Sequence, residues 1–379
     1  MKLIIKQKKL LEKLNYAVRG VDNRNTLPIL NCIKLTLTSE GLDLFSTDND
    51  KAIKTFIHSN EIEEIIETGD ILVEGRLFYE YIKKFNDKDI LSLEVIENFL
   101  EISNNTEKNK TETRIVCRDV NEYPNIIIEE SNNPIKLNKK TFKNLLNQTL
   151  FATSNQESRP VLTGLNIIVD NNILIATSTD AYRLAKKEVE LNENYNLKAN
   201  IVVPTRNLNE LTKMIDDKES DIYISIFDNK IIFKFNDILM MSNLINDTYP
   251  NISNIIPKSY ELFIKLDSFT FLNALDRVSL LSSENDKNAI IMETDDNKNI
   301  MLISNNPETG KSTEVIYPQE KLEKSVKVAF SATYMMEAIK AINAQTIEIL
   351  YIDELKPIVI KDVDDDKLIQ LILPVRLYF

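Results

Sequence analysis

Apolar positions along the chain follow one succession of patterns, and this succession occurs three times. Each copy begins with apolar residues at helical spacing, which predicts an amphipathic helix. Two segments with alternating apolar residues and a short polar turn come next, a pattern typical of a β-hairpin. An apolar strand and a second amphipathic helix complete the copy. The first helices carry Leu10, Leu14 and Ala17, then Phe142, Leu146 and Leu150, then Phe271, Leu275 and Val278.

The later elements of each copy recur at similar spacing. The predicted hairpins span 33–44, 165–175 and 290–302, the strands 71–73, 201–203 and 326–328, and the second helices 77–85, 208–215 and 334–342. Each copy closes on a proline, and Pro124, Pro250 and Pro374 are 126 and 124 residues apart. We predict an α+β fold of three tandem domains, 1–131, 132–257 and 258–379, each of mostly antiparallel strands with two helices on one face.

A row of three such domains leaves an unpaired sheet edge at each end. Exposed edges invite pairing with another chain. Two rows that meet head to tail satisfy both edges, so we expect a closed ring of two chains. A monomeric arc with blunted edges is the alternative.

Composition narrows the function. The 379 residues carry a net charge of -12, and 43% of them are hydrophobic, as in a globular protein of several domains. His58 is the only histidine, which excludes a histidine-rich metal site. Cys32 and Cys117 form no CxxC pair and suggest a reducing cytoplasm. No stretch has the length of a signal peptide core or a membrane span.

The charges are unevenly distributed. The six predicted helical windows sum to +10, so the rest of the chain carries -22. Lys9 with Lys13, and Lys139 with Lys143, stand at i, i+4 opposite the apolar stripes and are expected to face solvent. Any single lysine pair is better explained by an ordinary solvated helix face, but the summed charge, a basic helical surface on an acidic chain, suits a polyanion. Because no aromatic residues cluster between the lysines, we expect contacts to phosphates and no reading of bases.

The candidate motifs in the sequence do not form a catalytic site. The segment 309–312, Thr-Gly-Lys-Ser, lacks the first glycine of a phosphate-binding loop and follows a hairpin. The acidic runs 48–50 and 364–366 lie in short polar connections where turn chemistry explains them, so a magnesium site there is a weak alternative. Cys32 and Cys117 are expected in the core, and His58 at the surface.

An ordered set of short motifs resembles the bacterial DNA polymerase III beta subunit family, the sliding clamps. Among them are Arg-Asn-Thr-Leu-Pro-Ile-Leu at 24–30, Thr-Asp-Ala-Tyr-Arg-Leu-Ala at 179–185, Tyr-Pro-Asn at 249–251 and Pro-Val-Arg-Leu at 374–377. The resemblance covers the whole chain. It implies a head-to-tail homodimeric ring with helices around duplex DNA, without catalytic activity, metal or cofactor. The implied partners are a clamp loader, the polymerase III catalytic subunit, repair polymerases and other proteins with a clamp-binding motif.

The resemblance also implies three sets of site residues. Partner peptides would bind by apolar anchors in a cleft formed by Leu162, Thr179, Tyr182, Arg183, Leu184, Pro250, Ile255, Tyr334, Leu355, Pro357, Leu371, Leu373, Pro374, Val375, Arg376 and Leu377. The expected DNA contacts combine the helix lysines with three other residues. They are Arg24, Lys9, Lys13, Lys83, Lys84, Lys139, Lys140, Lys143, Gln156, Arg206 and Lys213. The dimer interface would involve Leu280 and Leu281 against a first-domain edge near Ile115.

The sequence departs from the family pattern at several positions. Ala181 and Tyr182 stand where a Gly-His pair is common, and Asn254 where an arginine is frequent. Tyr378 and Phe379 extend past the usual end of the chain. Two other functions stay open at this point: an enzyme that uses the Asp48 and Asp364 runs with a metal ion, and a repeat-built adaptor that binds peptides and no DNA.

Overall fold

The protein is described by a computed structural model over residues 1–22, 27–105, 110–252, 254–282 and 288–376. Within these ranges the helices are α1 Gln7–Ala17, α2 Gly75–Ile82, α3 Lys139–Thr149, α4 Thr205–Met214, α5 Ser268–Ser279 and α6 Ala332–Ile342. None of these helices is long and apolar enough to cross a membrane.

The strands take up most of the remaining chain. Those of the first third are β1 Lys2–Lys6, β2 Cys32–Leu37, β3 Gly41–Thr47, β4 Lys51–His58, β5 Glu64–Glu67, β6 Gly69–Glu74, β7 Ile90–Ile96, β8 Phe99–Asn105 and β9 Lys110–Arg118. Those of the middle third are β10 Ile135–Asn138, β11 Gly164–Asp170, β12 Ile173–Thr179, β13 Arg183–Glu190, β14 Lys198–Pro204, β15 Asp221–Ile226, β16 Lys230–Phe235 and β17 Ile238–Asn243. Those of the last third are β18 Leu262–Asp267, β19 Ala289–Thr294, β20 Ile300–Asn306, β21 Gly310–Ile316, β22 Lys327–Ser331, β23 Thr346–Tyr351, β24 Ile358–Asp362 and β25 Asp365–Ile372.

The predicted succession of helix, hairpin, strand and helix is confirmed in all three copies. It corresponds to α1, β2, β3, β6 and α2, then α3, β11, β12, β14 and α4, then α5, β19, β20, β22 and α6. Local chemistry fixes the helix ends. The side chains of Asp267 and Ser331 accept hydrogen bonds from the backbone N–H groups of Thr270 and Tyr334 at the starts of α5 and α6. Asn343 ends α6 in the left-handed conformation, at φ 55°.

One compact unit consists of Met1–Lys139 and Lys213–Leu244. Its strands form one sheet in the order β10-β15-β16-β17-β4-β3-β2-β6-β9-β8-β7-β1-β5. The apolar faces of α1 and α2 are buried with those of the strands in a single cluster that includes Leu10, Leu14 and Phe78. Strand β17 of the second repeat pairs with β4 of the first, so this sheet runs across the boundary between two repeats.

The other compact unit consists of Lys140–Thr212 and Ile245–Phe379. An eight-stranded sheet has the order β14-β11-β12-β13-β25-β24-β23-β18, and a four-stranded sheet has the order β21-β20-β19-β22. Helices α5 and α6 share a core with strands of both sheets, which includes Phe271, Met335 and Phe330. Here β25 of the third repeat pairs with β13 of the second, the same kind of junction as between β17 and β4.

Two expectations about single residues have contrasting outcomes. Cys32 is completely buried, and burial raises the pKa of its thiol to about 11. Lys139 was expected at the surface, but the structure buries its side chain, with a relative exposure of 1%. The backbone N–H of Lys139 is held by the carbonyl of Ser220, and its ammonium group pairs with Asp216. The expectation for Lys139 is wrong because the first residue of α3 is anchored to the neighbouring loop before the solvent-exposed helix face begins.

Lys13 departs from the expectation in the same way. Its side chain is 9% exposed and its ammonium group lies 2.9 Å from the Asp237 carboxylate. The buried face of α1 is wider than the apolar stripe, since Gln7 is buried too. Lys13 stands at the flank of this face, where its aliphatic part is covered and its charged end reaches an acid in the turn between β16 and β17.

Candidate functional site

The apolar floor of the predicted cleft assembles at the junction of β13 and β25. Leu184 lies directly opposite Leu371 in the register of these strands. Both are buried in a cluster with Leu350 and Val359, against which the half-buried Leu373 packs. These residues come from distant parts of the chain, so only the antiparallel pairing of β13 with β25 brings them together.

The chain after β25 leaves the sheet where the sequence indicated. Pro374 cannot donate a backbone hydrogen bond, and β25 ends at Ile372. The N–H of Leu373 still bonds to the carbonyl of Tyr182 at 2.9 Å, and that of Val375 bonds to Ala329 at 2.8 Å. The segment therefore runs beside the floor as a fixed rim, with Arg376 exposed. Leu377, Tyr378 and Phe379 lie outside the described residues.

Each of the three guanidinium nitrogens of Arg183 has a hydrogen-bond acceptor within the protein. Its Nε lies 3.0 Å from Asp180 Oδ2, one terminal nitrogen pairs with Glu337, and the other bonds to the Phe151 carbonyl at 2.7 Å. The guanidinium carbon lies 4.4 Å from the centre of the Tyr334 ring and 5.2 Å from that of Phe151. Such an arginine holds neighbouring elements in place, and its side chain is only 11% exposed.

Sequence reasoning missed these partners of Arg183. Asp180 was within reach of sequence analysis, because an acid three residues before an arginine can pair with it across a tight turn. Glu337 and Phe151 were out of reach, since α6 and the segment after α3 meet Arg183 only in the folded protein. Burial, with a smaller contribution from the Asp180 carboxylate, raises the pKa of Tyr334.

The remaining cleft residues fall into two groups. Thr179 and Leu162 are buried: the Thr179 hydroxyl donates to the Arg183 carbonyl at 2.5 Å, and Leu162 packs in a separate cluster with Val161 and Val202. The exposed or half-exposed residues offer apolar surface to a ligand, and they are Tyr182, Pro250, Ile255, Leu355 and Pro357. Ala181 has a φ of 75°, a left-handed conformation that glycine adopts without strain.

The predicted DNA contacts are only partly at the surface. Lys13 and Lys139 are buried ion-pair residues, as described above. Lys9 is half exposed and lies 2.6 Å from Glu61, whose hydrogen bond raises the pKa of the lysine. Lys143 is half-buried, whereas the exposed members of the set are Lys83, Lys84, Lys140, Gln156, Arg206 and Lys213. Arg24 lies outside the described residues.

The predicted interface residues are also divided. Leu280 is 78% exposed at the end of α5, and Leu281 is half-buried. Ile115 belongs to the core of its own domain, since its side chain points into the cluster beneath β9. The neighbouring Val116 is the exposed residue, at 58%. The expected edge is therefore present, but its apolar surface comes from the residue after the predicted one.

The acidic runs have the turn geometry that the sequence suggested. Asp48 accepts backbone hydrogen bonds from Asp50 and Lys51, at 3.0 and 2.8 Å. Asp365 accepts one from Lys367 at 3.1 Å. Within the described ranges, no group of three or more His, Cys, Asp and Glu side chains is arranged to hold a metal ion. Residues 310–316 form strand β21, so the Thr-Gly-Lys-Ser segment opens no helix.

Comparison with known proteins decides the family. The chain matches the DNA polymerase III beta subunit N-terminal domain over residues 1–127, the central domain over 136–251 and the C-terminal domain over 253–376. The chain belongs to the DNA polymerase III beta subunit family. It is 32% identical to the beta sliding clamp of Bacillus subtilis and 34% identical to that of Staphylococcus aureus, over 100% of each chain.

Solved structures agree with this membership. The DNA polymerase sliding clamp of Bacillus subtilis superposes with a TM-score of 0.93 at 32% identity, over 100% of both chains. The DNA polymerase III beta chain of Streptococcus pneumoniae gives 0.92 at 28% identity, over 99% of this chain and 100% of that one. These findings confirm the predicted clamp fold of three tandem domains and the predicted function, a non-catalytic DNA sliding clamp.

Proposed function

We propose that two copies of this chain close head to tail into a ring around duplex DNA and tether polymerases to it. In this proposal each chain contributes three domains, 1–131, 132–257 and 258–379. The ring needs no tight contact with DNA, because encirclement itself prevents dissociation. Membership of the beta subunit family supports the proposal, and the sheet edges supply a physical reason for the closure.

The main support for the ring is one type of strand pairing between successive repeats, which occurs twice within the chain. Repeats one and two join through β4 and β17, and repeats two and three join through β13 and β25. By position in the repeat, the equivalent pair at the ends of the chain is β21 and β9. Among the described strands β21 pairs only with β20, and β9 pairs only with β8 over residues 110–116.

We infer that β21 of one copy pairs with β9 of the other, and this closes the ring with the same junction at all six positions. An open strand edge is a ready template for such pairing. Val315 on β21 is 44% exposed and Val116 on β9 is 58% exposed, so apolar side chains accompany the backbone edges. The exposed Leu280 adds further apolar area near β21. A two-fold arrangement of two chains pairs β21 and β9 of both copies.

Contacts with DNA in this proposal are made by the exposed members of the predicted set. Lys140, Arg206 and Lys213 project from α3 and α4, and Lys83 and Lys84 follow α2. Lysine and arginine contact phosphates, which are the same at every base pair, so the binding is salt-dependent and independent of sequence. Weak contacts suit a ring that slides. Lys13 and Lys139 are better explained as structural residues.

Partner peptides are proposed to bind on the apolar floor of Leu184, Leu371 and Leu373 between exposed residues such as Tyr182 and Leu355. Arg376 is the exposed cation at this site, and it is suited to polar groups of a peptide. The polymerase III catalytic subunit, the clamp loader and repair polymerases would compete for it. We propose a cytoplasmic location, because the protein would act on chromosomal DNA. The free thiols of Cys32 and Cys117 also favour this location.

Retention on circular DNA tests the proposal. The chain is loaded by a clamp loader and ATP on a nicked circular duplex, and the bound fraction is measured by gel filtration. We expect retention on the circle and release after a single restriction cut linearises it. A bound fraction that survives linearisation would indicate ordinary DNA binding, and a chain that binds peptides but never stays on circles would be an adaptor.

A further inference from the structure

A second groove lies next to the predicted cleft, on the eight-stranded sheet. It has a volume of about 640 Å³, within the range of ligand sites. Its floor consists of side chains from β11, β12, β13, β14 and β25, among them Ile168, Ile175 and Ile369. Residues 249–252 and 256–258, from the connection between the second and third repeats, form one wall.

The groove and the cleft share one face of the sheet. Along β12 the groove residue Thr177 precedes the cleft residue Thr179 by two positions, and along β13 Lys186 follows Leu184 by two. Side chains two residues apart on a strand point to the same side. The same relation links Ile369 to Leu371 on β25, and Pro250 lines the groove while belonging to the predicted cleft. A peptide in the cleft can therefore continue into the groove without crossing an edge.

The electrostatic character of the groove differs from that of the chain. The chain has a net charge of -12, yet no Asp or Glu is among the residues that line the groove. Two lysines, Lys186 and Lys258, line it, and the ion pairs between described residues do not include either of them. Asn166, Asn200 and Thr177 add amide and hydroxyl groups to the floor.

We infer that this groove is an extension of the partner-peptide cleft that binds carboxylate side chains flanking the apolar anchors of the same peptide. The inference rests on the proposed function of the cleft. Two lysines without acidic partners attract a carboxylate, whereas the net charge of -12 on the chain as a whole repels it. The isoleucines of the floor supply apolar contact for the aliphatic part of a Glu or Asp side chain. Partners with acidic flanks would be favoured over partners with neutral ones.

Peptide binding to the full-length protein tests this inference. Three fluorescein-labelled peptides are titrated and followed by fluorescence anisotropy. All share the same uncharged core with leucine and phenylalanine anchors, and two carry four added residues at each end, either Glu and Asp or their amides Gln and Asn. We expect the acidic peptide to bind about fivefold more tightly than its amide counterpart at low salt, with the gain lost in high salt.

Charge reversal of the two groove lysines tests whether the tighter binding of the acidic peptide depends on them. In the double variant Lys186→Glu and Lys258→Glu, the advantage of the acidic peptide should disappear, while the affinity of the core peptide stays the same. Lys321→Glu, an exposed lysine outside the groove, is the matched control and should keep the advantage. Equal affinity of the acidic and amide peptides, or an advantage that survives in the double variant, overturns the inference.

Failure of the cleft itself is recognised separately. If the core peptide binds the wild-type protein but the acidic flanks add nothing, only the extension is wrong. If the core peptide does not bind at all, the proposed cleft fails, and the extension fails with it. Circular dichroism of each variant verifies that the substitutions leave the fold unchanged. If the double variant is unfolded, Lys186→Gln with Lys258→Gln replaces it. This variant is also expected to lose the advantage of the acidic peptide.

Discussion

The guanidinium carbon of Arg183 lies 4.4 Å from the centre of the Tyr334 ring, and the two residues come from different repeats. The same arginine pairs with Asp180 and Glu337. Its side chain is 11% exposed, and that of Asp180 is 13% exposed. Removal of the arginine leaves a largely buried carboxylate without its cation, which is strongly unfavourable.

We therefore expect Arg183→Ala to lower the free energy of unfolding by about 3 kcal/mol, measured by denaturant titration. Arg376→Ala is the control, because Arg376 is exposed beside the same cleft. It should leave stability unchanged and weaken the binding of a partner peptide. An Arg183→Ala protein of wild-type stability would contradict the structural role described for this residue.

The lysines at the start of α3 should respond differently to charge reversal. Lys139 is buried beside Asp216, so Lys139→Glu places a buried carboxylate next to the partly exposed carboxylate of Asp216. We expect a loss of stability of about 3 kcal/mol or more, seen as a lower unfolding midpoint. Lys139→Met, which keeps the aliphatic length of the side chain, should cost less because it adds no second negative charge.

The double variant Lys140→Glu and Lys143→Glu tests the helix surface itself. Lys140 is exposed and Lys143 half-buried. We expect near wild-type stability but a shorter residence on nicked circular DNA, with the difference from wild type shrinking as salt is raised. Equal residence times for the variant and the wild type would exclude α3 from the DNA contacts.

Lys139 and Lys143 also illustrate how far the sequence predicts this structure. Periodicity identified all helices of the repeats because Leu146 and its equivalents must be buried whatever the tertiary context. It could not identify Lys139 as buried, since Asp216 lies 77 residues further along the chain. The +10 of the helical windows therefore overstates the charge available to DNA, because Lys13 and Lys139 are neutralised inside the protein.

The cleft was accessible to sequence analysis only through family resemblance. Leu184 and Leu371 lie 187 residues apart, and their pairing depends on the register of β13 with β25. No local pattern encodes such a register. The adjacent groove could not be predicted for the same reason, because Lys186 and Lys258 lie 72 residues apart (258 − 186) and meet only in the folded protein.

Asp237 is expected to make the compact unit of Met1–Lys139 and Lys213–Leu244 less stable at acidic pH. Burial by itself raises the pKa of Asp237, but the hydrogen bond and charge of Lys13, with a smaller contribution from His58, outweigh it and lower the pKa below its usual range. A carboxylate with a lowered pKa in the folded state stabilises the fold above the unfolded pKa. Its contribution is lost as the pH falls through the folded pKa.

Asp237→Asn should therefore be less stable than wild type at pH 7, and the difference should vanish once the pH lies below the folded pKa of Asp237. Denaturant titrations across the acidic range measure it. Asp228→Asn, in the neighbouring turn between β15 and β16, is exposed and should differ little from wild type at any pH. A deficit for Asp237→Asn that stays constant down to the lowest pH would mean that ionisation of Asp237 is irrelevant.

The ring closure makes a prediction about both open edges. Leu280, near β21, is 78% exposed, and Val116 on β9 is 58% exposed. If these surfaces meet between two chains, a carboxylate at either place is buried without a partner, and affinity falls at least about tenfold. Leu280→Asp and Val116→Asp should each shift the mass measured by light scattering toward that of one chain, 43.7 kDa, on dilution.

Ile127→Asp provides the matched control, since Ile127 is 62% exposed and belongs to neither edge. It should keep the wild-type mass across the same dilution series. Because the two edges belong to one interface, the double variant of Leu280 and Val116 should lose less than the sum of the single losses. Strict additivity, or a Val116→Asp protein that dimerises as wild type does, would place the contact between chains elsewhere and leave β9 without the role that the repeated junctions suggest.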